Sequence, residues 1–300
     1  MEKTLLSVIG PTAIGKTKLA VALAGYYDTE IISADSRQFY KEMKIGTAVP
    51  DTEELNRAKH HFIQHKSILE TYSVGDFERD ALQLLDTLFK ENDIVIMVGG
   101  SGLYLDAVTK GLDEFPKIDS NIRKELNERL RKGGIERLQE DLKERDISYY
   151  NKVDLNNPHR VIRALEICIG TEKPYSSFLS SETKNRPFRT ITIGLEAERE
   201  LIYERINSRV DAMIAEGLVD EAVGLAKYRS LNALQTVGYK ELFKFFNKEW
   251  ALDFAISEIK KNTRRFAKRQ MTWFKKNEDI LWFPYDIDLR TLVSELKQVL

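Results

Sequence analysis

Apolar and polar positions alternate between two rhythms over the first hundred residues. Residues 4–9, Thr-Leu-Leu-Ser-Val-Ile, form a short apolar run closed by Gly10. Residues 16–26 follow, with Leu19, Ala20, Leu23 and Ala24 at helical spacing. Glu30-Ile31-Ile32-Ser33-Ala34 predicts a second strand. Residues 75–91 predict an amphipathic helix with Phe77, Ala81, Leu84, Leu85 and Leu88 on one face. Ile94-Val95-Ile96-Met97-Val98 is apolar throughout and stops at Gly99-Gly100, as a strand covered on both faces should. Residues 103–109 read as the next helical turn. Alternating strand and helix predicts an α/β fold with a parallel sheet.

Beyond Pro116 the texture changes. Residues 119–146 are charge-dense and helical, broken at Gly133-Gly134, and Asn156-Asn157-Pro158 opens a further helix over 156–169. No strand-like run occurs between about 114 and 187. Thr190-Ile191-Thr192-Ile193-Gly194-Leu195 is strand-like again, a long helix follows over 198–216, and the C-terminal third is mostly helical. The expected organisation is a core domain of residues 1–113 and 189–300, interrupted by a helical insertion domain, 114–188.

Composition narrows the class. At 300 residues, 42% hydrophobic and net charge −1, the chain is too apolar and too weakly charged to be disordered. A single cysteine, Cys168, excludes a disulfide scaffold and reads as a small buried hydrophobe. No stretch approaches the roughly 18 apolar residues of a membrane span, and the first residues lack a signal-peptide pattern. A reduced, cytoplasmic compartment, no membrane contact and a monomer are expected. His60 and His61 would diverge on a helix, so no zinc site is expected among four histidines. Trp250, Trp273 and Trp282 read as core residues.

The strongest chemical signal is Gly10-Pro11-Thr12-Ala13-Ile14-Gly15-Lys16-Thr17, a G-x-x-x-x-G-K-[ST] loop between a predicted strand and a predicted helix. Its glycines let successive backbone N–H groups point at one anion, and the helix N-terminus adds partial positive charge. Lys16 supplies a full charge for terminal phosphates, and Thr17 offers a hydroxyl to Mg²⁺. A nucleotide hydrolase usually carries an aspartate at the end of a later apolar strand. Here the 94–98 strand ends in Gly99-Gly100-Ser101-Gly102, without a carboxylate. The nearest acid is Asp35, in Ser33-Ala34-Asp35-Ser36-Arg37-Gln38-Phe39-Tyr40. Ligands of open α/β sheets sit beyond the carboxyl ends of the strands, so Asp35, Ser101 and the loop should converge on one crevice. A turn or cap aspartate is the competing role for Asp35.

The basic charge is local. Residues 259–276 hold eight Lys or Arg and no acid; on a helix Ile259, Thr263, Phe266, Gln270 and Trp273 form a stripe, with the cations on the other faces. A second cluster is His159-Arg160-Val161-Ile162-Arg163. Such clusters suit contact with a nucleic-acid backbone; a solvated helix face is the alternative.

The ordered set of motifs resembles the tRNA dimethylallyltransferase (tRNA isopentenyltransferase) family over nearly the whole chain. It comprises the 10–17 loop, Asp-Ser-Arg-Gln-Phe-Tyr at 35–40, Tyr-Ser-Val-Gly-Asp-Phe at 72–77 and Gly-Gly-Ser-Gly-Leu-Tyr at 99–104. It continues with Asn-Pro-His-Arg-Val-Ile-Arg-Ala-Leu-Glu at 157–166, Arg-Val-Asp-Ala-Met at 209–213, Val-Gly-Tyr-Lys-Glu at 237–241 and Thr-Arg-Arg-Phe-Ala-Lys-Arg-Gln-Met-Thr-Trp-Phe at 263–274.

The resemblance implies a P-loop, nucleotide-kinase-like core with a helical insertion. It implies transfer of a dimethylallyl group from dimethylallyl diphosphate to N6 of the adenine just 3′ of a tRNA anticodon, with Mg²⁺ as cofactor. The loop then holds a prenyl diphosphate, which suits the missing strand-end aspartate. By the same resemblance Asp35 is the base, Lys16 and Arg209 hold the diphosphate, and Ser101 stands at the family's threonine position. Contact with the tRNA anticodon stem-loop is implied for Asp35, Ser36, Arg37, Gln38, Ser101, Arg123, His159, Arg160, Val161, Ile162 and Arg163, and for the Gly238-Tyr239-Lys240 segment. Val49 stands where the family usually has lysine, and Gly75 is a small departure in the 72–77 motif. A P-loop kinase using ATP would share the loop but leaves the basic 259–276 helix unexplained. A non-enzymatic RNA-binding module leaves Lys16-Thr17 beside Asp35 unexplained.

Overall fold

The computed structural model describes residues 2–180 and 184–300. The chain divides into two compact units, Met1–Lys110 with Asn185–Leu300, and Gly111–Lys184. These breaks fall a few residues before those expected at 113/114 and 188/189.

In chain order the first unit runs β1 (Thr4–Ile9), α1 (Lys16–Tyr27), β2 (Ile31–Ser33), α2 (Thr52–Arg57), β3 (His60–His61), α3 (Val74–Leu88), β4 (Ile94–Val98) and α4 (Gly102–Thr109). The second unit holds α5 (Ser120–Gly133), α6 (Glu136–Arg145), α7 (Ile147–Tyr150) and α8 (Pro158–Thr171). The chain then returns with β5 (Arg189–Glu196), α9 (Arg199–Ala215), α10 (Leu218–Leu225), α11 (Tyr239–Phe246), α12 (Leu252–Phe274), β6 (Leu281–Pro284) and α13 (Leu289–Leu296).

Among the described residues six parallel strands lie in the order β3-β2-β4-β1-β5-β6. Central β1 pairs with β4 from Thr4↔Ile94 to Val8↔Val98, and with β5 from Thr4↔Arg189 to Ile9↔Gly194. Every residue of β1 and β4 is buried, because alternate side chains enter two different cores. Leu5, Ile9, Val95 and Met97 pack with Phe77 and Leu85 of α3 and Leu105 of α4. Leu6, Val8, Ile94 and Ile96 pack with Ala20, Leu23 and Ala24 of α1 and Leu292 and Leu296 of α13. This two-sided cover accounts for the unbroken apolar runs.

Two sheet edges differ from expectation. His60 and His61 form β3, not a helical pair, because Ile31 and Ile32 of β2 offer them an open parallel edge. β6 was not legible: four residues ending in proline carry little periodicity, and register with Ile193 to Glu196 makes them a strand.

A further core in the first unit gathers Val210 of α9, Leu218 and Ala222 of α10, Tyr239 and Leu242 of α11 and Ile259 of α12, together with Tyr40 and Met43. In the second unit, Leu126, Leu138 and Leu142 pack against Val161, Ile162 and Leu165 of α8. Asn157 caps α8 by accepting from Arg160 N, with Pro158 in its first turn. Cys168 is buried, and its Sγ accepts from Tyr175 N.

Candidate active site

The phosphate loop joins the end of β1 to the start of α1. Gly15 occupies the helix N-cap at φ 106°, a left-handed conformation open to glycine, and no side chain caps the helix. The first N–H groups of α1 are thereby left for an anion. Ile14 is buried against Leu195 and Ile206, which pins the loop from behind. Arg205 of α9 donates from Nε to Ala13 O at 2.8 Å, and its guanidinium lies over the Tyr285 ring.

Lys16 Nζ donates to Pro11 O at 2.8 Å. Burial lowers its pKa from 10.5 to about 8; Asp35 opposes that shift and Arg209 adds to it. Arg209 is also lowered, first by burial, with Asp35 and Glu54 as the opposing charges. Both cations line a crevice of about 1370 Å³ that Thr17, Asp35 and Ser101 share. Asp35 acts on both desolvated cations, and Glu54 and Glu216 act on Arg209; beside the free N–H groups of α1, Lys16 and Arg209 offer an added anion its positive partners.

Asp35 follows β2. Its Oδ1 accepts from Arg37 N at 3.0 Å, so it is a turn aspartate and lines the crevice as well. The Ser101 hydroxyl accepts from Ser36 N and lies 3.2 Å from Ser36 Oγ, which joins the 35–38 segment to the turn after β4. Gln38 donates to Ala48 O at 2.9 Å and Thr47 O at 3.2 Å, and Arg37 donates from Nη1 to Asn232 O and Ala233 O. Both residues line the crevice and brace its walls as well.

Glu221 carried no signal of its own, and Tyr239 and Gln270 were legible only as motif or helix-stripe positions, yet all three build the site. The Glu221 carboxylate accepts from the backbone N–H groups of Lys44, Ile45 and Gly46 and from Tyr239 Oη at 2.6 Å, holding the 44–49 loop. Tyr239 is fully buried, and burial together with the Glu221 hydrogen bond raises its pKa. Its side chain therefore braces the wall and offers no surface to tRNA, while Gly238 and Lys240 of the same segment line the crevice. Gln270 bridges the phosphate loop and the Gly99–Gly102 turn.

α12 presents Ile259, Thr263, Phe266, Arg269, Gln270 and Trp273 to the crevice. Phe266 and Trp273 are 39% and 38% exposed, so Trp273 is a crevice wall where core was expected; its Nε1 donates to Asp106. The cations of this helix divide in two. Lys260 pairs with Asp211, Lys261 with Glu258, Lys275 with Glu196, and Arg264 donates to Asn207. Among the described residues no acidic side chain pairs with Lys268, and Arg269 lies over Phe266.

In the second unit Arg123, His159 and Arg160 are exposed. Val161 and Ile162 are 0% and 3% exposed in the α8 core, so their side chains are unavailable to a partner. Their place between cations reflects the helical period, which turns neighbours to opposite faces. Buried Glu166 accepts from Arg163 at 2.9 Å with Arg123 at 3.9 Å, gathering cations of α5 and α8.

Fold and site define the class: a P-loop α/β protein whose anion cradle opens on a crevice with a facing carboxylate. A family model described as IPP transferase matches residues 38–277. The chain is 60% identical over 297 residues to a tRNA dimethylallyltransferase of Christiangramia forsetii, covering 99% of this chain and 98% of that protein. It is 58% identical to one of Flavobacterium johnsoniae, covering 97% and 96%. A solved tRNA isopentenylpyrophosphate transferase of Bacillus halodurans superposes with TM-score 0.72 at 37% identity, covering 99% of this chain and 95% of that one. A eukaryotic dimethylallyltransferase acting on tRNA gives TM-score 0.79 at 26% identity, covering 99% and 77%. The chain belongs to the IPP transferase family.

Proposed function

We propose that this chain, a tRNA dimethylallyltransferase, moves the dimethylallyl group of dimethylallyl diphosphate onto N6 of the adenine just 3′ of a tRNA anticodon. The observation that carries the reading of the site is the pair of desolvated cations, Lys16 and Arg209, sharing the crevice with Asp35.

An exocyclic adenine amine is a weak nucleophile, so the leaving diphosphate needs strong stabilisation. The free N–H groups at the start of α1, with Lys16 and Arg209, meet negative charge that grows on the departing oxygen. The C1–O bond breaks with its electron pair on diphosphate, the N6–C1 bond forms, and Asp35 accepts the N6 proton. Ser101, on Ser36, orients the acceptor side of the crevice.

The donor set suits Mg²⁺: Thr17 and Asp35 line the crevice, and among the described residues the Thr17 hydroxyl and one Asp35 oxygen make no hydrogen bond. Among the described residues no cluster of three or more His, Cys, Asp or Glu could hold a metal, and Mg²⁺ characteristically keeps waters and binds through phosphates. Thr17 and the donor's phosphates would hold the ion, which supplies charge to the leaving group.

The adenine leaves the anticodon-loop stack to enter the crevice, as single-stranded loop bases can. Lys268 and Arg269 of α12 and the exposed Arg123, His159 and Arg160 supply backbone contacts. No helix among the described residues is long and apolar enough to cross a membrane, and the proposed setting is a cytoplasmic monomer. The test is incubation with radiolabelled dimethylallyl diphosphate and unmodified tRNA, followed by nuclease mapping. Label on the adenine after the anticodon is expected. ATP consumption with unlabelled tRNA would overturn the reading in favour of a kinase.

A further inference from the structure

Gln270 stands in the most basic stretch of the chain, yet it is 6% exposed. Its Oε1 accepts from Thr12 N and its Nε2 donates to Gly100 O, each at 2.9 Å. A backbone N–H can only donate and a backbone carbonyl can only accept, so the amide has one satisfying orientation. One side chain thereby ties the loop before Lys16 to the turn that carries Ser101. The approach is close: a Cβ on Gly100 would overlap Nε2, so a side chain there would push the Gln270 amide aside. Trp273, three residues on, packs against Gly102 and bonds Asp106 at 2.9 Å, so α12 grips the turn at a second point.

We propose that Gln270 is a positioning residue that sets the separation between the diphosphate cradle and the acceptor side of the crevice, and so the distance over which the allyl carbon travels. This rests on the site reading above, in which the cradle holds the leaving group and Ser101 and Asp35 address N6. Gln270 itself exchanges no proton or electron pair in the transfer. A misplacement of about 1 Å between reacting partners costs on the order of 100-fold in rate. Loss of the strut should therefore appear in turnover more than in the affinity of either substrate.

The experiment compares Gln270→Glu and Gln270→Met in the full chain by steady-state kinetics with dimethylallyl diphosphate and tRNA. Glu keeps the acceptor for Thr12 N and turns an oxygen towards Gly100 O; Met fills similar volume without polar atoms. Both should lower kcat by about 10- to 100-fold and leave each KM within about threefold. Wild-type kcat in both variants overturns the proposal. So does a loss expressed wholly as a raised KM for one substrate, which would make Gln270 an ordinary contact.

Gly100→Ala gives a second route that leaves Gln270 in place. It should lower kcat, and adding Gln270→Ala should cause no further loss, since both changes break one strut. Multiplying losses overturn the proposal. Asp35→Asn runs in parallel. Undiminished turnover there removes the site reading and this proposal with it. A fall there with normal Gln270 variants removes the strut alone.

Discussion

Raising the pH should weaken binding of the prenyl donor in a way set by Lys16. Burial brings this ammonium down to about 8, so the free crevice holds it half neutral at that pH. A diphosphate about 4 Å away contributes about 4 kcal/mol per unit charge at an effective dielectric near 20, enough to keep Lys16 protonated in the complex across pH 7–9. Binding above neutrality must therefore take up a proton. Uptake should be about half a proton at pH 8 and about 0.9 at pH 9, and affinity should fall about tenfold between pH 7 and pH 9. Calorimetric titration of dimethylallyl diphosphate in buffers of different ionisation enthalpy measures both quantities. Lys16→Arg, permanently charged, should bind without this pH dependence. A wild-type affinity that is level from pH 7 to pH 9, with no proton uptake, would refute the reasoning, because a group neutral in the free protein cannot become charged without a proton.

Asp35→Asn keeps the acceptor for Arg37 N and removes the base, so turnover should fall on the order of 100-fold with tRNA affinity little changed in filter binding; unchanged turnover removes the proton-acceptor role. Lys268→Gln with Arg269→Gln should reduce the slope of log affinity against log salt by about 1.4, at about 0.7 per single-strand phosphate contact. Lys260→Gln with Lys261→Gln should leave that slope nearly unaltered, since Asp211 and Glu258 already engage those lysines; equal effects of the two pairs would return α12 to a solvated face. Tyr239→Phe takes a buried partner from Glu221 and should lower stability by about 1–2 kcal/mol, read as a shifted urea midpoint at constant slope.

Much of the frame was legible because it is local or periodic. Continuous apolar runs at 4–9 and 94–98 marked strands that both cores need, and Gly15-Lys16-Thr17 marked the strand-to-helix turn. Asn157-Pro158 marked the start of α8 through capping chemistry. Val161 and Ile162 were grouped with the neighbouring cations because a motif is a stretch of chain, whereas burial follows the helical period.

By itself the sequence determined the alternation of strand and helix, the anion-binding loop and the concentration of basic charge in 259–276, since each depends on neighbours within a few turns of chain. Only the tertiary structure decided that β6 joins the sheet, that Lys260, Lys261 and Arg264 of α12 are held by the protein itself, and that Glu221, Tyr239 and Gln270 brace the crevice. Gln270 meets Thr12 and Gly100 across separations of 258 and 170 residues. No local pattern encodes such a contact, because the geometry that brings those backbone groups within hydrogen-bond reach exists only once the sheet and α12 have packed.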